Sequence, residues 1–321
     1  MLHIAFGADT NYIMQCGVAI TSVCENNKDM DISFHIMVLC EEEEVVKFDP
    51  LVTIIEKYDQ KGELLPIGQK YFANLPEGEY ISRATYLRLL LPKVLSTEIS
   101  QVLYLDSDIV VLGSLKYFEE HPLDSVIACG AALDINGMSI KHHNRLGLSA
   151  PVTYFNAGIL QMNLTYWRDN KIASQAIEGI AGHSDWWFMD QDAINVVLEG
   201  KISRIPYRYN LQTSHYLYPP TQQELDKCYH QELYDAMETP IIIHYASYRK
   251  PWQKGCPKQE FWLKYKKMTQ WASCPMMKSK PNDDTTQEWI RKANSKSARA
   301  VNTYAPCFFK FIYYFSKVLP K

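Results

Sequence analysis

Two carboxylates one residue apart, Asp106 and Asp108, follow directly on the apolar run Gln101-Val102-Leu103-Tyr104-Leu105. A strand running into Asp-x-Asp puts two hard oxygen donors within reach of one divalent cation. A second apolar run, Ile241-Ile242-Ile243, delivers His244 in the same way, and a neutral imidazole completes a Mn2+ site beside two carboxylates. Alone, the triplet is weak, because strand-end carboxylates also cap turns. A lone histidine, too, is more often a satisfied core residue than a ligand. Asp9 and Asp134 also terminate apolar runs, Leu2–Phe6 and Val126–Ala132. In open α/β sheets ligands gather beyond the carboxyl ends of strands, so Asp9, Asp106, Asp108, Asp134 and His244 are candidates to share one edge.

The elements that must position them alternate in type. Leu2–Phe6 reads as a strand, Asn11–Asn26 as a helix and Ile32–Leu39 as a second strand, and Glu41–Tyr58 reads as a helix broken at Pro50. Arg83–Leu91 reads as a helix ending at Pro92, and Gln101–Leu105, Val126–Ala132 and Gly158–Met162 as buried strands. Asp190 stands where an N-cap belongs, before Gln191–Glu199 and a stop at Gly200. This alternation predicts a doubly wound, mostly parallel sheet.

The chain is 321 residues long, 47% hydrophobic and 21% charged, which suits a large globular α/β unit and excludes a disordered majority. Its net charge of −3 provides no global attraction to nucleic acid. Between Met276 and Lys321, however, nine basic residues face three acidic ones. If Phe308–Lys321 is helical, Phe308, Phe311, Ile312, Phe315 and Leu319 share one face and Lys310, Lys317 and Lys321 the other, a pattern that suits an anionic bilayer surface or docking on the body of the protein. We therefore expect a catalytic domain over 1–272 and a basic, aromatic, helical tail over 273–321. The eight cysteines show no CxxC pair, which argues against a zinc cage or a disulfide framework. The N-terminus lacks a basic n-region and a long apolar stretch, so no signal peptide is expected, and no run reaches membrane-spanning length. A cytoplasmic protein, peripheral at most to the inner membrane face, is the simplest expectation.

Taken together, six motifs are far more specific than the triplet. They are Phe-Gly-Ala-Asp-Thr-Asn-Tyr (6–12), Ala-Thr-Tyr-Leu-Arg (84–88), Val-Leu-Tyr-Leu-Asp-Ser-Asp (102–108), Phe-Asn-Ala-Gly-Ile-Leu (155–160), Asp-Gln-Asp (190–192) and His-Tyr-Ala-Ser-Tyr-Arg-Lys-Pro-Trp (244–252). In this order and spacing the chain resembles glycosyltransferase family 8, which includes glycogenin and bacterial lipopolysaccharide α-galactosyl- and α-glucosyltransferases. The resemblance covers roughly residues 2–255 and implies a Rossmann-like, nucleotide-binding GT-A fold. It implies that Asp106, Asp108 and His244 hold Mn2+ (or Mg2+), with Ser107 beside them, on the diphosphate of a UDP-sugar. Ala8, Asp9, Asn11 and Tyr12 match the uridine-binding segment, Arg88 a residue that pairs with donor groups, and Lys250 a diphosphate contact. Asp134, Asn156, Ala157, Asp190 and Gln191 match the pocket for the transferred sugar. Ser247 departs from the family pattern, which commonly has glycine there, where the backbone approaches phosphate.

Transfer in that family retains the α configuration. Retention requires either a covalent carboxylate intermediate or a front-face displacement. An amide is a poor nucleophile, so Gln191 favours the front-face route, with Asp190 and Gln191 stabilising oxocarbenium-like charge. The expected activity is hexose transfer, galactose or glucose, from a UDP-hexose to a glycan or glycolipid acceptor. Two rivals remain. Leu-Asp-Ser-Asp-Ile-Val also fits the D-x-D-x-[TV] opening of haloacid-dehalogenase-type phosphatases, where Asp106 would be the nucleophile. A self-glycosylating or non-catalytic nucleotide-sugar-binding protein would keep the same pocket.

Overall fold

The computed structural model describes residues 1–73, 75–76, 83–134, 140–149, 153–217, 227–246 and 249–276. Its main sheet contains β1 (Leu2–Asp9), β2 (Ile32–Leu39), β3 (Lys61–Ile67), β4 (Gln101–Leu105), β6 (Cys129–Ala131), β7 (Ile159–Asn163) and β8 (Ile202–Arg204). A smaller sheet holds β5 (Ile109–Val111), β9 (Leu211–Gln212) and β10 (Ile242–His244). The strand orders are β3-β2-β1-β4-β7-β6-β8 and β5-β10-β9. In the main sheet β3, β2, β1 and β4 run parallel, β7 is antiparallel to both β4 and β6, and β8 is parallel to β6. The sheet is mostly parallel, as the alternation of elements predicts.

Burial on both faces explains the near-continuous apolar character of the central strands. Ile4, Phe6, Leu103 and Leu105 enter the core on one face, while Ala5, Val102 and Tyr104 enter a second core on the other. The two-residue period of a strand therefore places Asp106 on the same face as Tyr104. The helix Leu87–Val94 packs on that face through Leu87, Leu89, Leu90 and Leu91 and carries Arg88 with it. The helix Ile13–Asn26 is buried almost throughout.

Several boundaries differ from the sequence expectation. Pro50 opens the helix Asp49–Lys57, because a first-turn proline has no intrahelical partner to lose. Pro92 lies inside the last turn of Leu87–Val94 rather than beyond it. The strand expected over Val126–Ala132 shortens to β6, since Val126 is 58% exposed and its amide N–H turns to the Asp124 carboxylate. The stop at Gly200 is realised with φ +73°, a left-handed conformation that glycine adopts without a Cβ penalty.

The tail from 277, with Asp283, Asp284 and the expected amphipathic helix, lies outside the described residues, as does Ser247. No helix among the described residues is long and apolar enough to cross a membrane. Cys16, Cys24, Cys40, Cys129 and Cys256 are buried free thiols, and Cys274 is an exposed one.

Candidate active site

The chain leaves β4 at Asp106, and Asp106 N–H donates to the Gly158 carbonyl at 2.8 Å. It resumes at once in β5, which pairs antiparallel with β10 so that His244 stands opposite Ile109. Tyr245 N–H donates to the Asp108 carbonyl at 2.9 Å. This crossing from one sheet to the other brings together residues distant in sequence. The ligand atoms of Asp106, Asp108 and His244 all lie within 4.8 Å of one another. His244 Nε2 is 3.4 Å from Asp108 Oδ1 and 3.7 Å from Asp106 Oδ2.

The two carboxylates are held differently. Asp106 Oδ1 accepts from Arg88 Nη2 at 2.9 Å and from the Tyr104 hydroxyl at 2.8 Å. Burial and the neighbouring Asp108 charge raise its pKa, against the pull of Arg88. Asp108 is also buried, yet opposing charge, that of Lys250 foremost, outweighs that penalty and holds its pKa well below the usual carboxylate range. Lys250 Nζ donates to Asp108 Oδ2 at 2.6 Å and to the Tyr245 carbonyl at 2.8 Å. The Ser107 hydroxyl is committed to the Gly7 carbonyl at 2.8 Å, which ties the ends of β4 and β1 together.

Arg88, expected as a donor-group contact, is 5% exposed and fully engaged within the protein. Besides Asp106 it reaches the Ala157 carbonyl, the Thr85 carbonyl and hydroxyl, and, at 3.0 Å from Nε, Asp190 Oδ2. Its guanidinium also lies over the Tyr104 ring, 4.7 Å from the centroid. Asp190 Oδ1 accepts from the Thr85 hydroxyl at 3.0 Å. Burial pushes the Asp190 pKa up to about 6 against the opposing charge of Arg88.

Asp190 is not the N-cap. The helix Asp190–Val197 is preceded by Met189, whose side chain makes no cap hydrogen bond. The Asp190 carboxylate turns to Arg88 and Thr85 instead. Met189 holds φ 47°, a strained conformation for a residue with a Cβ, of the kind that clusters at functional sites. Asp192 secures that turn by accepting Phe188 N–H at 2.9 Å, and it also accepts from Tyr154 and His142.

Gln191 is fixed at both ends of its amide. Its Oε1 accepts Ala157 N–H at 3.0 Å and Asn156 Nδ2 at 3.1 Å, while Nε2 donates to Asp134 Oδ2 at 3.1 Å and to the Tyr154 hydroxyl at 3.3 Å. Asn156 Nδ2 also donates to Asp134 Oδ2 at 3.2 Å. The structure thus gathers Asp134, Asn156, Ala157, Asp190 and Gln191 into one polar cluster beside the Asp-x-Asp turn.

At the end of β1, Asp9 Oδ1 accepts Asn11 N–H at 2.8 Å, closing an Asx-turn before the first helix. Ala8 is buried in the core. Tyr12 sits edge-on to Trp252 with ring centroids 5.6 Å apart. A cavity of about 250 Å3 opens here, lined among others by Asp9, Asn11, Leu39, Glu44, Gln69 and Arg83.

Residue types and strand ends alone do not reveal Thr85, Tyr104, Gly158, Tyr154, Asp192 or Asn210. Gly158 carries the clearest overlooked signal, a glycine inside Phe-Asn-Ala-Gly. A Cβ there would stand 2.1 Å from His244 Cε1 and 2.8 Å from Asp106 Oδ2, so the backbone itself forms one wall of the site.

A Rossmann-like sheet bearing Asp-x-Asp at its carboxyl edge is the architecture of the GT-A glycosyltransferases. Within that class the chain belongs to glycosyl transferase family 8, whose model matches residues 3–256. It is 29% identical over 257 residues to the lipopolysaccharide 1,2-glucosyltransferase of Escherichia coli K12, covering 79% of this chain and 73% of that protein. It is 26% identical over 292 residues to the lipopolysaccharide 1,3-galactosyltransferase of Salmonella typhimurium LT2, covering 86% of this chain and 80% of that one. The fold superposes with a TM-score of 0.75 on the galactosyltransferase LgtC, crystallised with donor and acceptor sugar analogs, at 23% identity over 89% of this chain and 100% of LgtC. Membership of this family sets aside the phosphatase reading of Asp106.

Proposed function

We infer that the protein moves a hexose from a UDP-hexose to a glycan or glycolipid acceptor of the lipopolysaccharide type, with retention of configuration and with Mn2+ (or Mg2+) at Asp106, Asp108 and His244. The observation that carries this reading is the convergence of those three side chains on one point from separate sheets. Two carboxylates and one imidazole are a donor set suited to Mn2+. When bound, the ion neutralises the negative charge that grows on a departing nucleoside diphosphate, without a proton donor.

The remaining assignments follow from the chemistry of each group. Asp9 and Asn11, which line the cavity at the end of β1, and Tyr12, next in the chain, suit a nucleobase, since a carboxylate accepts an imide N–H and a phenol ring stacks. Lys250 is a point charge suited to a diphosphate oxygen, and Ser107 and Ser247 lie on the same two segments as the proposed ligands. Asp134, Asn156, Ala157, Asp190 and Gln191 offer the carboxylate and amide groups that sugar hydroxyls require. Arg88 serves them indirectly, holding Asp106 and Asp190 in place.

Both hydrogen bonds to Gln191 Oε1 draw electron density from that oxygen, which makes it a poorer nucleophile still and favours front-face displacement. Asp190 and Gln191 then offset oxocarbenium-like charge. The relatives named above differ in the hexose in their names, and epimers differ by one hydroxyl, so the polar contacts of this pocket decide the donor. We place the reaction at the cytoplasmic face of the membrane, with the basic tail beyond residue 272 as the surface contact.

A UDP-release screen over UDP-hexoses, with and without Mn2+ and including Asp106→Ala, tests the reading. Transfer should need both the metal and Asp106, and the product should keep the α-anomeric NMR coupling of the donor. Turnover indifferent to metal and to the substitution refutes the mechanism.

A further inference from the structure

We propose that Asn210 is a positioning residue for the metal centre, whose side-chain amide presets His244 in the tautomer that leaves Nε2 bare. The proposal rests on the metal-binding reading above and concerns a residue outside every motif of the sequence analysis.

The argument is one of hydrogen-bond polarity, and a backbone group anchors it. Oxygen and nitrogen of an Asn amide are normally assigned only from the surrounding network. Here Gly158 N–H, which can only donate, contacts Asn156 Oδ1 at 3.0 Å. The contacted atom of Asn156 is therefore the oxygen. The same oxygen is met by Asn210 at 2.9 Å, so Asn210 must present its Nδ2–H there. That orients Asn210 Oδ1 toward His244 Nδ1, 2.9 Å away, and an amide oxygen only accepts. His244 Nδ1 must accordingly carry the proton.

Two consequences follow. A neutral His244 has no proton on Nε2, the atom that faces Asp108 Oδ1 and Asp106 Oδ2. Three acceptor atoms then point at one another, an arrangement a divalent cation satisfies. The other end of Asn156 donates to Asp134 and Gln191, so one amide relay sets the polarity of both the metal site and the sugar-side cluster. Asn210 is fully buried, and His244 and Asn156 are 3% and 5% exposed, so water does not compete for these bonds. Partners that hold the far nitrogen of a ligating histidine typically contribute ~10- to 100-fold to metal affinity.

The test uses the full chain, Asn210→Leu as an apolar variant of similar volume, and Asn210→Asp as a variant that keeps an acceptor toward Nδ1. Free Mn2+ is followed by electron paramagnetic resonance, and the His244 tautomer by long-range 15N–1H correlation on metal-free protein. Wild type should show the proton on Nδ1 and bind Mn2+. Asn210→Leu should mix the tautomers and weaken Mn2+ binding ~10- to 100-fold, at an unchanged far-UV spectrum. Asn210→Asp keeps an acceptor toward Nδ1 but loses the donor toward Asn156 Oδ1, so it should keep the Nδ1 proton, which general loosening of the core does not predict. A proton on Nε2 with none on Nδ1 in wild type, wild-type Mn2+ affinity in Asn210→Leu, or mixed tautomers in Asn210→Asp overturns the proposal. Failure of the metal reading has a separate signature: Mn2+ stays free with wild type and variants alike, while the tautomer still shifts between them.

Discussion

Adding one methyl group at Gly158 should disable the site without replacing any side chain assigned to it. A Cβ at this position would lie 2.1 Å from His244 Cε1, where ordinary contact begins near 3.4 Å. One of the two must therefore move by about 1.3 Å, the difference between those distances. Gly158 cannot yield freely, since its carbonyl accepts Asp106 N–H and its own N–H is held by Asn156. The imidazole must give way, and it leaves the Asn210 bond as it does so. Metal–ligand distances tolerate only about 0.2 Å, so Gly158→Ala should lose His244 as a ligand. Misplacing a reacting group by about 1 Å can cost ~100-fold in rate, and Mn2+ affinity should fall at least tenfold. Overpacking in a core costs about 1–3 kcal/mol, enough to lower the melting temperature by several degrees while leaving a folded protein. Mn2+ titration, UDP release and thermal unfolding of the same preparation separate these effects. Wild-type Mn2+ affinity and turnover in a folded Gly158→Ala variant would show that the wall formed by this glycine does not shape the site.

Arg88→Lys keeps a charge but cannot span Asp106, Asp190 and the Ala157 carbonyl at once. Urea unfolding should show a loss of about 3 kcal/mol together with a large fall in transfer rate, and a change under about 0.5 kcal/mol would contradict the network drawn around it. His215 is buried, and neither of its ring nitrogens has a hydrogen-bond partner among the described residues. Burial lowers its pKa from 6.5 to about 4, so between those values the unfolded chain binds the proton more readily and stability falls as pH falls. Over the whole window the loss is about 3 kcal/mol. His215→Leu should flatten the acid limb by most of that amount in denaturant titrations at pH 7 and near pH 4.5, whereas an unchanged pH dependence would place the titration elsewhere. A chain ending near Cys274 should lose flotation with anionic liposomes that the full chain retains, and equal behaviour of the two would remove the membrane role of the tail.

Patterns that depend on neighbours along the chain were legible before the structure. The strand Gln101–Leu105 is bounded as its apolar run predicts, because a strand buried on both faces needs unbroken apolar residues and a polar stop. What joins Asp106, Asp108 and His244 is less local. The run Ile241–Ile243 already marked β10, but β5, three residues long, is too short for periodicity to separate it from flanking loops, and nothing local says that the two pair in a second sheet. Asp190 shows the limit most clearly. Its place before a helical run suits a cap, yet a guanidinium from another element competes for the carboxylate, and burial lets the charge pair win. Asn210 left no local signal either, since an amide is informative only once its two partners are known. The same reasoning explains why Gly158, Asn156 and Asn210 belong together. A site that gathers acceptors at one point must control where its few protons sit, and in the proposed relay a single backbone N–H sets that order, passed through two buried amides to the imidazole.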